Sequence, residues 1–175
     1  MKAVFLDRDG VIVADKGYHY KLSDFELLSD VPKAIKKLND SGYFVVIITN
    51  QSGIGRGYFT EEDFENFNNH LLAELKKSNA HVGAIYYCPH HPTDGIGRYR
   101  KNCDCRKPGF GMFLQAAKEH SIDLSDSWMV GDNISDMIAG NSAGCRCIFI
   151  GSTKPVEAES CARNLNEAVD YILSR

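Results

Sequence analysis

Nowhere does this 175-residue sequence hold the roughly 20 consecutive apolar residues that a membrane-spanning helix requires. Near the N-terminus the apolar stretch is only Ala3 to Leu6 and runs directly into charge, so neither a signal peptide nor a membrane anchor is expected there. A basic excess is missing too. The 20 Lys and Arg against 23 Asp and Glu leave a net charge of -3, which offers no field to a nucleic-acid backbone. Low-complexity tracts, internal repeats and linker-like runs are absent, so residues 1–175 are expected to form one domain. These exclusions leave a cytoplasmic protein, expected as a monomer, with no nucleic-acid or membrane partner.

Six cysteines are present, in a compartment where stable disulfides are rare. Cys145, Cys147 and Cys161 lie in apolar or helical context and are expected as buried or simply unpaired thiols. Cys88, Cys103 and Cys105 crowd one His-rich stretch instead.

Short apolar runs predict strands at 2–6, 43–49, 81–87, 127–131 and 146–150. Helical spacing predicts helices at 31–41, 109–120, 134–142 and 164–174, and another beyond Thr60 with its Phe64, Phe67, Leu71 and Leu75 stripe. Asp30 with Pro32 is expected to start the first helix and Gly42 to end it, while Thr60 and Asp63 resemble a capping box. Strands alternating with helices imply an α/β fold, a single Rossmann-like domain whose mainly parallel sheet is covered on both faces.

Ligands in such sheets bind beyond the carboxyl ends of the strands. The first strand delivers Asp7-Arg8-Asp9-Gly10, and the second Thr49-Asn50-Gln51-Ser52-Gly53. The stretch after the third ends in Cys105-Arg106-Lys107-Pro108, and the fourth strand delivers Gly131-Asp132-Asn133, with Asp136 one helical turn on. Acids from distant segments thus converge with a hydroxyl and a lysine. Clustered carboxylates repel unless a hard cation neutralises them, and few-carboxylate sites that handle phosphate suit Mg²⁺. A carboxylate beside that ion can attack phosphorus, giving an acyl phosphate that water later cleaves. A second carboxyl two residues along an extended strand end points to the same side, where it can act as acid and then base. A lysine and a hydroxyl would stabilise the phosphoryl oxygens.

Cys88-Pro89-His90 and Cys103-Asp104-Cys105 supply three thiolates and an imidazole, a complete tetrahedral set for structural Zn²⁺ with no position left for water. His91 is a spare beside His90. A loop over about 88–105 has little apolar content, so metal binding would supply its folding free energy and fix the adjoining Arg106 and Lys107.

The Asp-Xaa-Asp-Gly at 7–10, Thr49, Lys107 and the Gly-Asp-Xaa-Xaa-Xaa-Asp at 131–136 resemble, in order, the four motifs of the haloacid dehalogenase superfamily. The resemblance implies a phosphomonoester hydrolase with Asp7 as nucleophile and Asp9 as acid/base, aided by Thr49 and Lys107. It also implies Asp9 as a magnesium ligand through its carbonyl and Asp132 as the other side-chain ligand beside Asp7, with Asp136 ranked below it. Within the superfamily, the zinc loop followed by Cys-Arg-Lys-Pro resembles a sugar-bisphosphate group and a histidinol-phosphate group. The segments at 86–92, 49–57 and 15–18 look more like the first. By that resemblance a sugar phosphate substrate would meet Asp15, Lys16, Gly17, Tyr18, Thr49, Asn50, Gln51, Ser52, Arg106 and Lys107, with Arg106 gripping a second phosphate bidentately. The gaps after the first two strands are too short for a cap domain, so an open site is expected, partly covered by residues 11–25 and the zinc loop. A zinc-stabilised binding protein without turnover is the reading from a different class.

Overall fold

A computed structural model describes residues 1–18 and 20–175. Strand β1 (Ala3–Leu6) is buried along its whole length, as a run covered on both faces must be. Its side chains sort by the two-residue period: Val4 and Leu6 join one layer, Ala3 and Phe5 the other. With β2 (Phe44–Asn50), β3 (Ala84–Cys88), β4 (Trp128–Gly131), β5 (Arg146–Ile150) and β6 (Ser160–Ala162) it forms one sheet of order β3-β2-β1-β4-β5-β6. Every pairing is parallel, so each needs a crossover.

The helices are α1 (Val31–Asp40), the single turn α2 (Ser52–Gly55), α3 (Glu61–Lys76), α4 (Gly111–His120), α5 (Ile134–Ala143) and α6 (Leu165–Leu173). The apolar stripes of α1, α3 and α6 cover Val4, Leu6, Val45 and Ile47 on one face. Those of α4 and α5 cover Phe5, Val46, Ile48 and Met129 on the other, where Phe5 meets Phe113 at a ring separation of 4.7 Å.

Helix α3 starts with the expected capping box of Thr60 and Asp63, and Gly42 turns the chain after α1 at φ +78°. Asp30 departs from expectation. Its backbone is already helical, and its carboxylate accepts the backbone N–H of Asn166 at 3.1 Å, capping α6 instead of α1. Strand β6 and helix α2 were not expected from the sequence. All six cysteines are free: Cys145 and Cys147 are buried, while Cys161 lies exposed in β6 rather than in a helix.

Register decides where chemistry can gather. Leu6 at the end of β1 stands opposite Ile47 of β2 and Val130 of β4. The next residues, Asp7, Ile48 and Gly131, therefore stand side by side, with Thr49 one step further along β2 and Asp132 just past β4.

Candidate active site

Asp7 continues the ladder one residue past β1, its N–H donating to the Val130 carbonyl at 3.0 Å. Its carboxylate accepts the Arg8 N–H at 2.7 Å and faces the Lys107 ammonium at 3.0 Å. The chain then turns through Gly10 at φ +84°, where a Cβ would lie 2.0 Å from Oδ2 of Asp132. Gly131 plays the same part for the second carboxylate, since a Cβ there would lie 2.4 Å from Asp136. Both glycines leave the room that the incoming carboxylates need.

Lys107 Nζ bonds the Ile48 carbonyl at 3.0 Å and pairs with Asp7 at 3.0 Å and Asp136 at 2.7 Å. The Ile48 contact is a hydrogen bond, while the two carboxylates hold the ammonium as ion pairs. Its backbone is held by Asn50, whose Nδ2 donates to the Lys107 carbonyl and whose Oδ1 accepts the Lys107 N–H, both at 3.0 Å. Asp136 is equally committed, because its Oδ2 accepts the Asn133 N–H at 3.1 Å as the capping box of α5.

Asp9 reaches the same cleft by another route than an extended strand. The strand ends at Leu6, and Asp9 sits in a turn whose backbone bridges Val13. The Arg8 guanidinium grips its carboxylate in a fork, Nε to Oδ1 at 2.9 Å and a terminal nitrogen to Oδ2 at 3.1 Å. Gln51 Nε2 donates to Asp9 Oδ2 at 2.9 Å and to Thr49 Oγ1 at 2.8 Å.

Carboxylate oxygens of Asp7, Asp132 and Asp136 lie within 4.8 Å of one another. Lys107 is the single ammonium among them, so the trio carries two surplus negative charges when ionised. Burial pushes the Asp7 carboxyl up to about 8, the charges of Asp136 and Asp9 adding to this and Lys107 opposing it. Burial together with Asp136 pushes Asp132 up to about 6. Burial alone would lower Lys107, yet Asp7 and Asp136 hold it above the usual lysine range. A dication brings the missing charge, and hard oxygen donors suit Mg²⁺, so the residues fit the ion.

Around this centre lies a cleft of about 290 Å³, lined by Asp7, Asp9, Asp15, Gly17, Tyr18, Thr49 to Gly53, Lys107, Asp132, Asn133, Ser135 and Asp136. Two expected contacts lie elsewhere. Lys16 turns to Glu26 at 2.8 Å and to the Asp24 carbonyl at 3.3 Å. Arg106 borders a separate cavity with Lys101, Cys103 and Asp104, its guanidinium donating to the His90 carbonyl at 3.3 Å. Cover comes from residues 15, 17 and 18 of the expected 11–25 segment, and the 88–105 loop contributes no lining residue. Gly53 and Asn133, the last residues of two of the strand-end runs, also line the cleft, as does Ser135, which the sequence did not mark.

The four expected zinc ligands do converge. Cys88, Cys103 and Cys105 place their sulfurs 2.9–3.3 Å apart, and His90 Nδ1 stands 3.1–3.6 Å from all three. Tetrahedral zinc–sulfur bonds of about 2.3 Å would span edges of about 3.8 Å, so the set fits Zn²⁺ once the sulfurs spread by somewhat under an ångström. A hydrogen bond from the Cys88 thiol, with others from Cys103 and His90, pulls Cys105 down to about 5, so one thiolate is already favoured. The spare His91 points away, its Nδ1 accepting the Asp94 N–H at 3.0 Å.

The family model described as HAD-hydrolase-like matches residues 104–174. The chain is 44% identical over 176 residues to the D-glycero-beta-D-manno-heptose-1,7-bisphosphate 7-phosphatase of Haemophilus ducreyi, covering 98% of this chain and 96% of that protein. Its identity to the Escherichia coli protein of the same name is 40% over 173 residues, covering 98% and 88%. Among solved structures, it resembles D,D-heptose 1,7-bisphosphate phosphatase from B. bronchiseptica, complexed with magnesium and phosphate, at a TM-score of 0.86 and 30% identity over 99% of both chains. A HAD-like phosphatase from Mesorhizobium loti matches at a TM-score of 0.89 and 32% identity, covering 99% of this chain and 87% of the other.

Proposed function

This chain belongs to the HAD-like D-glycero-beta-D-manno-heptose-1,7-bisphosphate 7-phosphatase family, and from that premise we propose that it hydrolyses the 7-phosphate of D-glycero-D-manno-heptose 1,7-bisphosphate. One observation carries the chemistry: Asp7, at the end of β1, stands 3.0 Å from Lys107 at the floor of an open cleft shared with Asp9 and Asp132.

Asp7 is the nucleophile in this reading. Its carboxylate oxygen bonds to phosphorus as the bond from phosphorus to the sugar oxygen breaks, leaving an aspartyl phosphate. Asp9 gives its proton to the departing alkoxide, then takes one from the water that attacks phosphorus and frees Asp7. Thr49 supports the phosphoryl oxygens, since Gln51 occupies its oxygen as acceptor and leaves its hydroxyl proton to donate. Lys107 orients Asp7 and passes an N–H to the phosphoryl group as Asp7 turns to attack. A magnesium ion held by the Asp7 and Asp132 side chains and the Asp9 carbonyl would neutralise surplus charge and polarise the phosphoryl group.

Asp15, Gly17, Tyr18, Asn50, Gln51 and Ser52 line the cleft and would contact the sugar. Arg106 and Lys16 take part only if their side chains turn inward when substrate binds. Zn²⁺ on Cys88, His90, Cys103 and Cys105 would be structural, tying the 88–105 loop down beside Lys107. A cytoplasmic location is supported by six unpaired cysteines, and among the described residues no helix is long and apolar enough to cross a membrane. Action as a monomer is supported by a cleft complete within one chain.

Comparison of kcat/KM for the heptose bisphosphate and for histidinol phosphate tests the substrate. The bisphosphate is expected to be preferred by about 100-fold or more, inside the roughly 10,000-fold that a site built to hydrogen-bond its substrate can impose. A preference for histidinol phosphate would overturn the assignment.

A further inference from the structure

We propose that Arg8, the residue between the two motif aspartates, is a positioning residue that sets the orientation of Asp9 for proton transfer. This rests on the reading of Asp9 as the acid/base.

An arginine at the end of a buried strand is costly unless its charge is paired and its donors are used. Arg8 is 2% exposed, the largest fully buried side chain of the described residues. Its guanidinium lies 4.9 Å from the ring centre of Phe67 and 5.4 Å from that of Phe64, both on α3. From this aromatic seat, Nε and one terminal nitrogen fork onto the two oxygens of Asp9 at 2.9 and 3.1 Å, while the other donates to Asn68 Oδ1 at 3.3 Å. Planar, two-point contact fixes the rotation of a carboxylate, which a point charge does not. Gln51 closes the remaining side at Oδ2.

The fork therefore aims Asp9 from a rigid helix through a side chain that never meets substrate. Asp9 is 22% exposed and borders the cleft, so it can trade one of these bonds for the leaving oxygen and return. Arg8 is held by α3 and has no such freedom. It keeps the carboxylate within reach for both transfers: a proton from Asp9 to the alkoxide, then one from water to Asp9.

The test separates a positioning role from a structural one by leaving-group dependence. kcat/KM covers the steps through departure of the alcohol, where a sugar alkoxide needs a proton and a p-nitrophenolate hardly does. Arg8→Met is expected to lower kcat/KM on the heptose bisphosphate by about 30-fold or more, a partial loss of the roughly 100- to 10,000-fold that a general acid supplies, with less than about threefold loss on p-nitrophenyl phosphate. Added to Asp9→Asn, it should produce no further loss on the sugar substrate. Arg8→Lys keeps the buried cation but cannot fork, and it provides a folded variant expected to give the same split at smaller size. Equal losses on both substrates, or losses that multiply with Asp9→Asn, would overturn the proposal. If Asp9→Asn alone leaves the sugar reaction unchanged, the acid/base reading itself falls and the proposal with it.

Discussion

Lys107 and Asp136 form an ion pair of 2.7 Å in which the side chains are only 2% and 1% exposed. Such a pair contributes little beyond two apolar residues of equal volume, but breaking it leaves a buried charge without its partner. Its value lies in where it puts the ammonium, between Asp136 and the Asp7 carboxylate.

Asp136→Ala is accordingly expected to destabilise the fold by about 3 kcal/mol, near the low end for a broken buried pair because Asp7 remains. Lys107 would then bear on Asp7 alone, making that carboxylate a poorer nucleophile, and kcat should fall about 100-fold. Urea unfolding and steady-state kinetics check the two parts. An unchanged kcat would show that Lys107 keeps its place without Asp136.

Gly10→Ala should act on the metal centre and spare the core. A Cβ at this position would meet Asp132 Oδ2 at 2.0 Å, and φ +84° is strained for any L side chain. Asp132 is expected to be displaced, so titration calorimetry should show magnesium affinity weakened about tenfold or more, the cost of roughly 1.4 kcal/mol at one ligand. Equal affinity in a folded variant would show that Asp132 is not needed to hold the ion.

The strands and the long helices were legible because their hydrophobic periods are set locally. The unbroken apolar run from Ala3 to Leu6 marks a buried strand, and its side chains divide between the two covered faces. Strand β6 is three residues long and owes its existence to β5, so no local pattern marks it. Asp30 has the residue type and position of a cap, but the partner it found lies 136 residues away. The motif acids were legible together because parallel register brings three strand ends side by side. Lys16 and Arg106 lie outside the cleft for the converse reason: a motif says that a loop is near, while its path decides which side chain faces in. Arg8 stands between two conspicuous acids that mask it in the sequence. Its signal was a cation at the end of a buried strand, matched by the Phe64 and Phe67 stripe that receives it.

Zinc makes a claim that metal analysis can settle. Protein purified without chelator should carry about one zinc per chain, as expected for a closed four-ligand site. Cys105→Ser is expected to lose it, lower the melting temperature and expose residues 89–104 to protease, because little else holds that segment. Turnover should fall with it, since Lys107 follows the last ligand by two residues. Full activity in folded protein that contains no zinc would refute the structural role.

The pH dependence of the magnesium-free protein tests the charge balance at the centre. Asp7 has an ordinary carboxyl value of 3.8 and is raised by burial to about 8 in the fold. Below the first value both folded and unfolded chains hold the proton, and this contribution to stability is fully present. Between the two values the unfolded chain ionises while the folded one keeps its proton, so stability falls as pH rises, until about 8. Asp7→Asn carries no such proton and should flatten this part of the profile, leaving the variant more stable than the parent near pH 8 while abolishing turnover. Magnesium binding must displace the same proton, so its affinity for the parent should rise with pH through the range from about 6, the Asp132 value, to about 8. Thermal melts in magnesium-free buffer without chelator, which spares the zinc loop, measure the first effect, and calorimetric titration the second. A parent profile that Asp7→Asn leaves unaltered would mean that Lys107 alone already keeps Asp7 ionised, and that the site carries no surplus charge for a cation to neutralise there.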